Sequence, residues 1–460
     1  MTSERVTGET VTNEGGEEIN FDGLVGPTHN YAGLSEGNLA SARNKDAISR
    51  PREAALQGLA KMNRLRALGL SQGVLPPQER PAIGWLRGAL NLSGDDRALF
   101  AQAWDTSPHI ARAACAASSM WAANAATISP SADASDGRLH ATVANLQTML
   151  HRSLEAPTTE RALNRLMGDG KRFGVHAALP ANEALSDEGA ANHMRLCAEP
   201  GAPGVEIFVY GRRAGELRPG FPARQSLEAS GSIARGHRLN PGRTIFAQQS
   251  PQAIEAGAFH NDVVAVAHDN VLFHHEHAFA DRDALYAEIR VKAKALFEPV
   301  FVEVKAADVS LEDAVSSYLF NAQLLRLPGD KALTLIAPRE VRENNKTASL
   351  ALELTNAAGA AIGHVEYVDV RESMRNGGGP ACLRLRMVMT PKERAAAAQG
   401  FFLDDALSNK LSTWIAKHYR EEIAPEDLRD PNLVDETRSA LDALTQILPL
   451  GGDFYPFQRA

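Results

Sequence analysis

Apolar positions along this chain follow two periods. In "PREAALQGLAKMNRLRALG", Leu56, Leu59, Met62 or Asn63, and Leu65 recur at helical spacing. The pattern predicts an amphipathic helix that starts at Pro51 and stops before Gly69, the residue expected just past its C-terminus. "FFLDDALSNKLSTWIAKHYREEI" predicts a second amphipathic helix. The alanine-rich "HIARAACAASSMWAANAAT" predicts a buried one, with Cys115 inside it. Short apolar and β-branched runs predict strands at "VEIFVYG", "TIFAQQ", "VVAVAH", "VLFHHE", "PVFVEV", "LTLIAP" and "CLRLRMVM". "VVAVAHDNVLFHHE" reads as a hairpin turning at Asp269 and Asn270. Strands and helices alternate as successive ββα-like units. No Pro/Ser/Gly-rich linker divides them and no repeat is legible in the letters.

Composition narrows the picture. The chain has 460 residues, 44% of them hydrophobic, enough for a large core; length alone suggests two or three domains. No run of 18 apolar residues is present, so no membrane span is expected. Met1 to Ile19 is polar, lacks the apolar segment of a signal peptide, and reads as a disordered tail. A net charge of −8 with interspersed signs argues against nucleic acid as a partner. Cys115, Cys197 and Cys382 are the only cysteines; they form no CxxC pair and no disulfide framework, as in a reducing cytoplasm.

Five groups of residues carry candidate chemistry. In "RESMRNGGGPACLRLRM", three glycines and Pro380 set Cys382 at the mouth of a strand. Glycines allow close approach of a ligand, and a thiolate placed there can act as a nucleophile. A buried core cysteine is the commoner fate of a free thiol, and local sequence leaves both readings open. The glycines lead into a strand with no Walker lysine, which argues against a phosphate loop. In "GAFHNDVVAVAH", His260 and Asp262 would face one side of an extended backbone and serve proton transfer and a cation, or merely begin a strand. "LSDEGAANHMRL" offers Asp187 and Glu188, able to orient a histidine or to open a helix. Arg224 in "FPARQSLEAS", with His151 and Arg152 in "HRSLEAP", suits carboxylates, against surface ion pairs as the plain reading. His268, His274, His275 and His277 invite a metal, but ligand-type spacing is missing and an exposed strand face is expected instead.

Taken together, "NFDGLVGPTHNYAGLSEGNLAS", "MWAANAATISPSAD", "HRSLEAP", "DEGAANH", "AFHND", "RESMRNGGGPACLRLR" and "YPFQR" resemble the N-succinylarginine dihydrolase family, from Asn20 to Arg459. The resemblance implies the pentein fold, an α/β-propeller of five ββαβ-like units around a pseudo-fivefold axis. Residues 20–460 would then form a single catalytic domain behind the tail of residues 1–19. It further implies Cys382 as nucleophile, His260 as general acid/base and Glu188 as its carboxylate partner. Asp262 would hold the guanidinium. Asn124, His151, Arg152, Arg224, Asn376 and the loop Ala32, Gly33, Leu34, Ser35, Glu36, Gly37, Asn38, Leu39, Ala40 and Ser41 would bind the rest of the substrate. "GPTHNY" varies beside that loop. The implied reaction converts N2-succinyl-L-arginine and two waters to N2-succinyl-L-ornithine, two ammonia and carbon dioxide. It needs no metal and no organic cofactor, and the family implies a homodimer; the cysteine usage already points to the cytoplasm. A related deiminase would release one ammonia; a hydrolase using the histidine cluster would need a metal.

Overall fold

The computed structural model describes residues 15–117, 120–216 and 219–459. Its strands, in chain order, are β1 (Glu17–Gly23), β2 (Ser71–Leu75), β3 (Ala126–Ser129), β4 (Leu139–Val143), β5 (Phe173–His176), β6 (His193–Cys197), β7 (Gly204–Tyr210) and β8 (Thr244–Gln248). Then follow β9 (Ala265–His268), β10 (Val271–His275), β11 (Val300–Val304), β12 (Gln323–Leu325), β13 (Leu333–Pro338), β14 (Ile362–Val368) and β15 (Arg384–Met389). They form five three-stranded sheets of one design. Two strands pair antiparallel, and a helical crossover returns the chain to add a third in parallel, as in β6-β7-β8 and β9-β10-β11. The five ββαβ-like units expected from the resemblance are therefore present.

One sheet is assembled from the first two strands and the last. β15 pairs antiparallel with β1 and β1 pairs parallel with β2, so β15 plays the part that β3, β6, β9 and β12 play in their own sheets. These five strands lie side by side at the centre: β15 next to β3, β6 next to β9, β9 next to β12. The middle strands β4, β7, β10 and β13 are buried along their whole length. Their near-continuous apolar runs are what a strand covered on both faces requires.

Helices cover the outside. Pro51–Ala67 buries Leu59, Met62 and Leu65 as its period predicts, ends at Leu68, and is followed by Gly69 at φ +87°. It packs against Asp405–His418, the second predicted helix. All seven predicted strands form, and the Asp269 turn joins β9 to β10 as an antiparallel pair. Two expectations need correction. The alanine-rich stretch is not one helix: Pro108–Cys115 is helical, but Ala122–Asn124 is a 3-10 turn that feeds β3, because its small residues are needed where backbones crowd near the centre. Ser118 and Ser119 lie outside the described residues. The tail is also shorter than expected, since Glu17–Ile19 belong to β1 and Ile19 is fully buried.

The β1 strand escaped the hydrophobic pattern because it buries polar groups. Asp22 Oδ2 accepts from Lys61 Nζ at 2.5 Å, and both side chains are buried. Removing one partner strands the other charge, whereas removing both does not. Lys61→Met is expected to lower unfolding free energy by about 3–5 kcal/mol, and Asp22→Leu/Lys61→Met to recover most of the loss. Urea denaturation of the three proteins checks both values.

Candidate active site

Each of the five central strands is preceded by a tight turn. Three of these are the 3-10 turns Ala122–Asn124, Gly189–Asn192 and Asn261–Val263, entering β3, β6 and β9. The segment through Asn321 enters β12, and the Gly377–Leu383 loop enters β15. Because the strands gather at the centre, side chains far apart in sequence meet there.

Cys382 is buried, and its Sγ touches two polar groups. It accepts from Asn321 Nδ2 at 3.1 Å, and its thiol donates to Asp262 Oδ2 at 3.4 Å. The glycines before it are required by close approach. A side chain at Gly377 would strike Asn38, one at Gly378 would strike Trp121, and one at Gly379 would strike Asn321. Burial, and then the neighbouring Asp262, push the Cys382 thiol well above its ordinary range. Burial also lifts Asp262 to about 7, against the hydrogen bonds from Cys382 and Asn321 that favour its charge. The resting site is thus poor in cation, and a cation placed against both groups would favour their ionised forms.

The second cluster centres on Glu188. Its Oε2 forms an ion pair with Arg152 Nη1 at 2.6 Å and accepts from His260 Nε2 at 2.7 Å, and all three side chains are buried. Burial raises the Glu188 carboxyl, but Arg152 and His260 outweigh it and hold the group well below the usual carboxylate range. An ionised carboxylate only accepts, so His260 carries its proton on Nε2. Its Nδ1 is buried with no hydrogen-bond partner among the described residues. Burial lowers His260 to about 4 despite Glu188, which leaves Nδ1 free to take a proton. Asn124 Nδ2 donates to the Glu188 carbonyl oxygen at 2.7 Å, and Ala123 N donates to the Cys382 carbonyl, tying this cluster to the thiol loop.

His260 and Asp262 do not share a face of an extended strand, as the sequence suggested. His260 is extended, but Asn261–Val263 turns as a 3-10 segment. The turn sends one side chain to Glu188 and the other to Cys382. Arg152 and Arg224 are not surface groups; both are fully buried. Arg224 lies over the Phe259 ring at 4.8 Å, and its Nη2 donates to the Glu36 carbonyl at 2.6 Å. Its Nε and Nη1 find no hydrogen-bond partner among the described residues. Burial lowers it to about 10, opposed by Glu188. His151 is buried beside Arg152 and held well below its ordinary value, first by burial and then by that arginine.

The 32–41 loop reaches this centre through three positions. Glu36 supplies the carbonyl that Arg224 holds, Gly37 lies where a side chain would meet Phe221 and Phe259, and Asn38 donates to the Asn376 and Gly377 carbonyls at 3.4 Å. Ala32, Gly33, Leu34 and Ser35 form the approach, and Leu39, Ala40 and Ser41 begin the helix Leu39–Arg43 that Asn38 caps. Asn376 ends the helix Arg371–Arg375.

The histidine group is the reverse of an exposed face. His268, His274 and His275 are buried and only His277 is partly exposed. His274 Nδ1 bonds the His275 carbonyl and Nε2 bonds Tyr286, while His275 Nε2 bonds the Val309 carbonyl. Among the described residues no three His, Cys, Asp or Glu side chains are grouped to hold a metal. Burial pushes Cys115 up to about 12 and Cys197 up to about 11. Two residues at the centre have no motif to announce them. Gln225 bonds Asp187 and the Glu188 amide, and Asn321 holds Sγ. Gln225 sits beside Arg224, but nothing local marks Asn321.

The family model described as succinylarginine dihydrolase matches residues 16–458. The chain belongs to the succinylarginine dihydrolase family. It is 58% identical over 445 residues to N-succinylarginine dihydrolase 2 of Caulobacter vibrioides, covering 96% of this chain and 98% of that one. It is 54% identical over 448 residues to N-succinylarginine dihydrolase of Paraburkholderia xenovorans, covering 96% and 99%. Among solved structures, the N-terminal domain of ArgZ, a cyanobacterial arginine dihydrolase, aligns at 14% identity and TM-score 0.47, covering 80% of this chain and 97% of that domain.

The raised Asp262 makes a stability prediction. A carboxyl whose folded pKa is raised contributes stability that is full below its unfolded value of 3.8 and is lost as pH climbs through about 7. Asparagine has no such loss. Asp262→Asn is therefore expected to be more stable than the parent by about 2–4 kcal/mol above pH 7, with the advantage shrinking between pH 7 and pH 4. Urea unfolding across that range reads it.

Proposed function

We propose that this chain hydrolyses N2-succinyl-L-arginine with two waters to N2-succinyl-L-ornithine, two ammonia and carbon dioxide. The observation that carries the reading is the buried contact of Cys382 Sγ with Asp262 Oδ2, placed next to an ionised Glu188 bonded to a neutral His260. The full-length identity to relatives named for this activity supports it.

The guanidinium enters against Asp262. Its positive charge offsets the burial that keeps the thiol protonated, and His260 Nδ1 takes the proton. The Cys382 thiolate attacks the guanidinium carbon. His260 returns the proton to a departing ammonia, then draws one from water. Water forms its bond to carbon, the S–C bond breaks, and a ureido group remains. In a second round the thiolate attacks that carbon and the succinylornithine amine leaves. Water then cleaves the carbamoyl-cysteine to ammonia and carbon dioxide. Each round consumes one water and regenerates the thiolate. Arg152 holds Glu188 ionised throughout, so Glu188 can steady His260 whenever it is charged.

Arg224 is the partner for a substrate carboxylate, because two of its nitrogens are buried without a hydrogen-bond partner. Arg152 is the other candidate from sequence; its ion pair with Glu188 supports a place in the proton-transfer group instead. Asn124, His151, Asn376 and the 32–41 loop complete the substrate site. In the same reading residues 20–460 work as one catalytic unit, supported by the sheet that joins β1 to β15. The three free cysteines suit the cytoplasm, and the family resemblance supports a homodimer.

Ammonia released per succinylarginine tests the reaction: two is expected, and one would assign a deiminase. Cys382→Ser is expected to abolish turnover without unfolding the protein, while Cys115→Ala and Cys197→Ala keep it. Free arginine should be processed far less well than succinylarginine, because a missing charge-assisted contact costs about 2–5 kcal/mol. Arg224→Ala should narrow that gap mainly by lowering kcat/KM for succinylarginine. Equal kcat/KM for the two substrates on the parent enzyme would overturn the succinyl assignment.

A further inference from the structure

We infer that Asn321 is a catalytic residue, whose side-chain amide holds the Cys382 thiolate both as it attacks and as it departs. The inference rests on Cys382 being the nucleophile and adds a group that no motif marks. Asn321 is fully buried, and three observations converge on it. Its Nδ2 donates to Sγ at 3.1 Å and to the Asp262 carbonyl at 3.4 Å. Its Oδ1 accepts from the Cys382 amide at 3.3 Å, and its backbone carbonyl accepts from the Ala381 amide at 3.1 Å. Gly379 is held to glycine by the same residue, since a Cβ there would lie 2.6 Å from Asn321 Oδ1.

The segment that carries Asn321 is rigid. Leu319 and Phe320 are fully buried, Phe320 packs on Phe273 with ring centroids 4.7 Å apart, and Tyr318 turns the chain at φ +56°. The amide is therefore aimed before substrate arrives. A fixed N–H directed at an atom that gains negative charge stabilises that charge without reorganisation. Here the charge appears first when the thiol loses its proton to His260, and again in each round when the S–C bond breaks and the electron pair returns to sulfur. Around the thiol, Asp262 opposes that charge, Asn321 favours it, and Arg224 favours it from farther off.

A purely structural role for Asn321 is separable by shape. Asn321→Asp keeps the size and the acceptor for the Cys382 amide, but replaces the donor facing Sγ with a carboxylate oxygen. Asn321→Ala removes both. Alkylation of Cys382 in the substrate-free protein by iodoacetamide, read by mass across pH, reports the thiolate. The midpoint should move up by about one pH unit in Asn321→Ala and further in Asn321→Asp. Turnover of succinylarginine should fall on the order of 10–100-fold in Asn321→Ala and more in Asn321→Asp, with KM changed little. Thermal unfolding controls for folding, and if Asn321→Ala does not fold, the isosteric Asn321→Asp carries the test alone. An Asn321→Asp enzyme with turnover within about threefold of the parent and an unmoved alkylation profile overturns the inference. Turnover by Cys382→Ser would instead overturn the nucleophile, which the alkylation profile does not presuppose.

Discussion

The antiparallel pairing of β15 with β1 is the constraint on which the active centre depends. It runs from Glu17 opposite Met389 to Asp22 opposite Arg384 and joins the first strand to the last in one sheet. Strand register sets which residues face which way, and a one-residue slip would reverse every side chain. Leu385 and Met387 are buried in the core from one face of β15, while Arg384 on the alternate face bonds Asn20. Holding β15 in that register fixes the loop before it, and so places Cys382 against turns belonging to three other sheets. The triple glycine follows from the same closure, because Asn38, Trp121 and Asn321 crowd the loop from different sides.

Within that frame, two buried carboxylates under the same cause, burial, end up shifted in opposite directions because their partners differ. Burial raises any carboxyl. Glu188 has the Arg152 charge and the His260 hydrogen bond beside it, and together these exceed the cost of burial. Asp262 has a thiol and an amide, which do not, and it rises to about 7. The first stays an anion able to steady a protonated imidazole. The second is an anion in waiting, completed by the cation it is proposed to bind. Under the proposed reading, a guanidinium would supply the charge that the protonated Cys382 thiol and Asp262 lack at rest.

Several parts of this design were legible from residues alone. The helical period of Leu59, Met62 and Leu65 and the apolar runs of β7, β10 and β13 gave the element types, because continuous burial leaves a continuous apolar mark. Other strands were harder. β1 buries Asn20 and Asp22, β3 buries Thr127 and Ser129, and β12 is three residues long, so their polar content hid them. The histidine group misled for the same reason: a strand that buries His274 and His275 through hydrogen bonds to Tyr286 and Val309 resembles a polar face.

What the sequence determined by itself was the inventory: long motifs that place the chain in its family, with Cys382, His260, Glu188 and Asp262 among them as the candidate chemistry. Motifs survive as letters because close backbone approach and reacting groups leave few residue types that fit. Which of those groups would touch was decided only by the tertiary structure. Glu188 and His260 are 72 residues apart, and Asp262 and Cys382 are 120 apart. No local period encodes such distances, and only the convergence of five separate turns at the centre sets them. Asn321 shows the division best: as a letter it is an asparagine ahead of a short strand, and its meaning comes from the sulfur that another sheet brings to it.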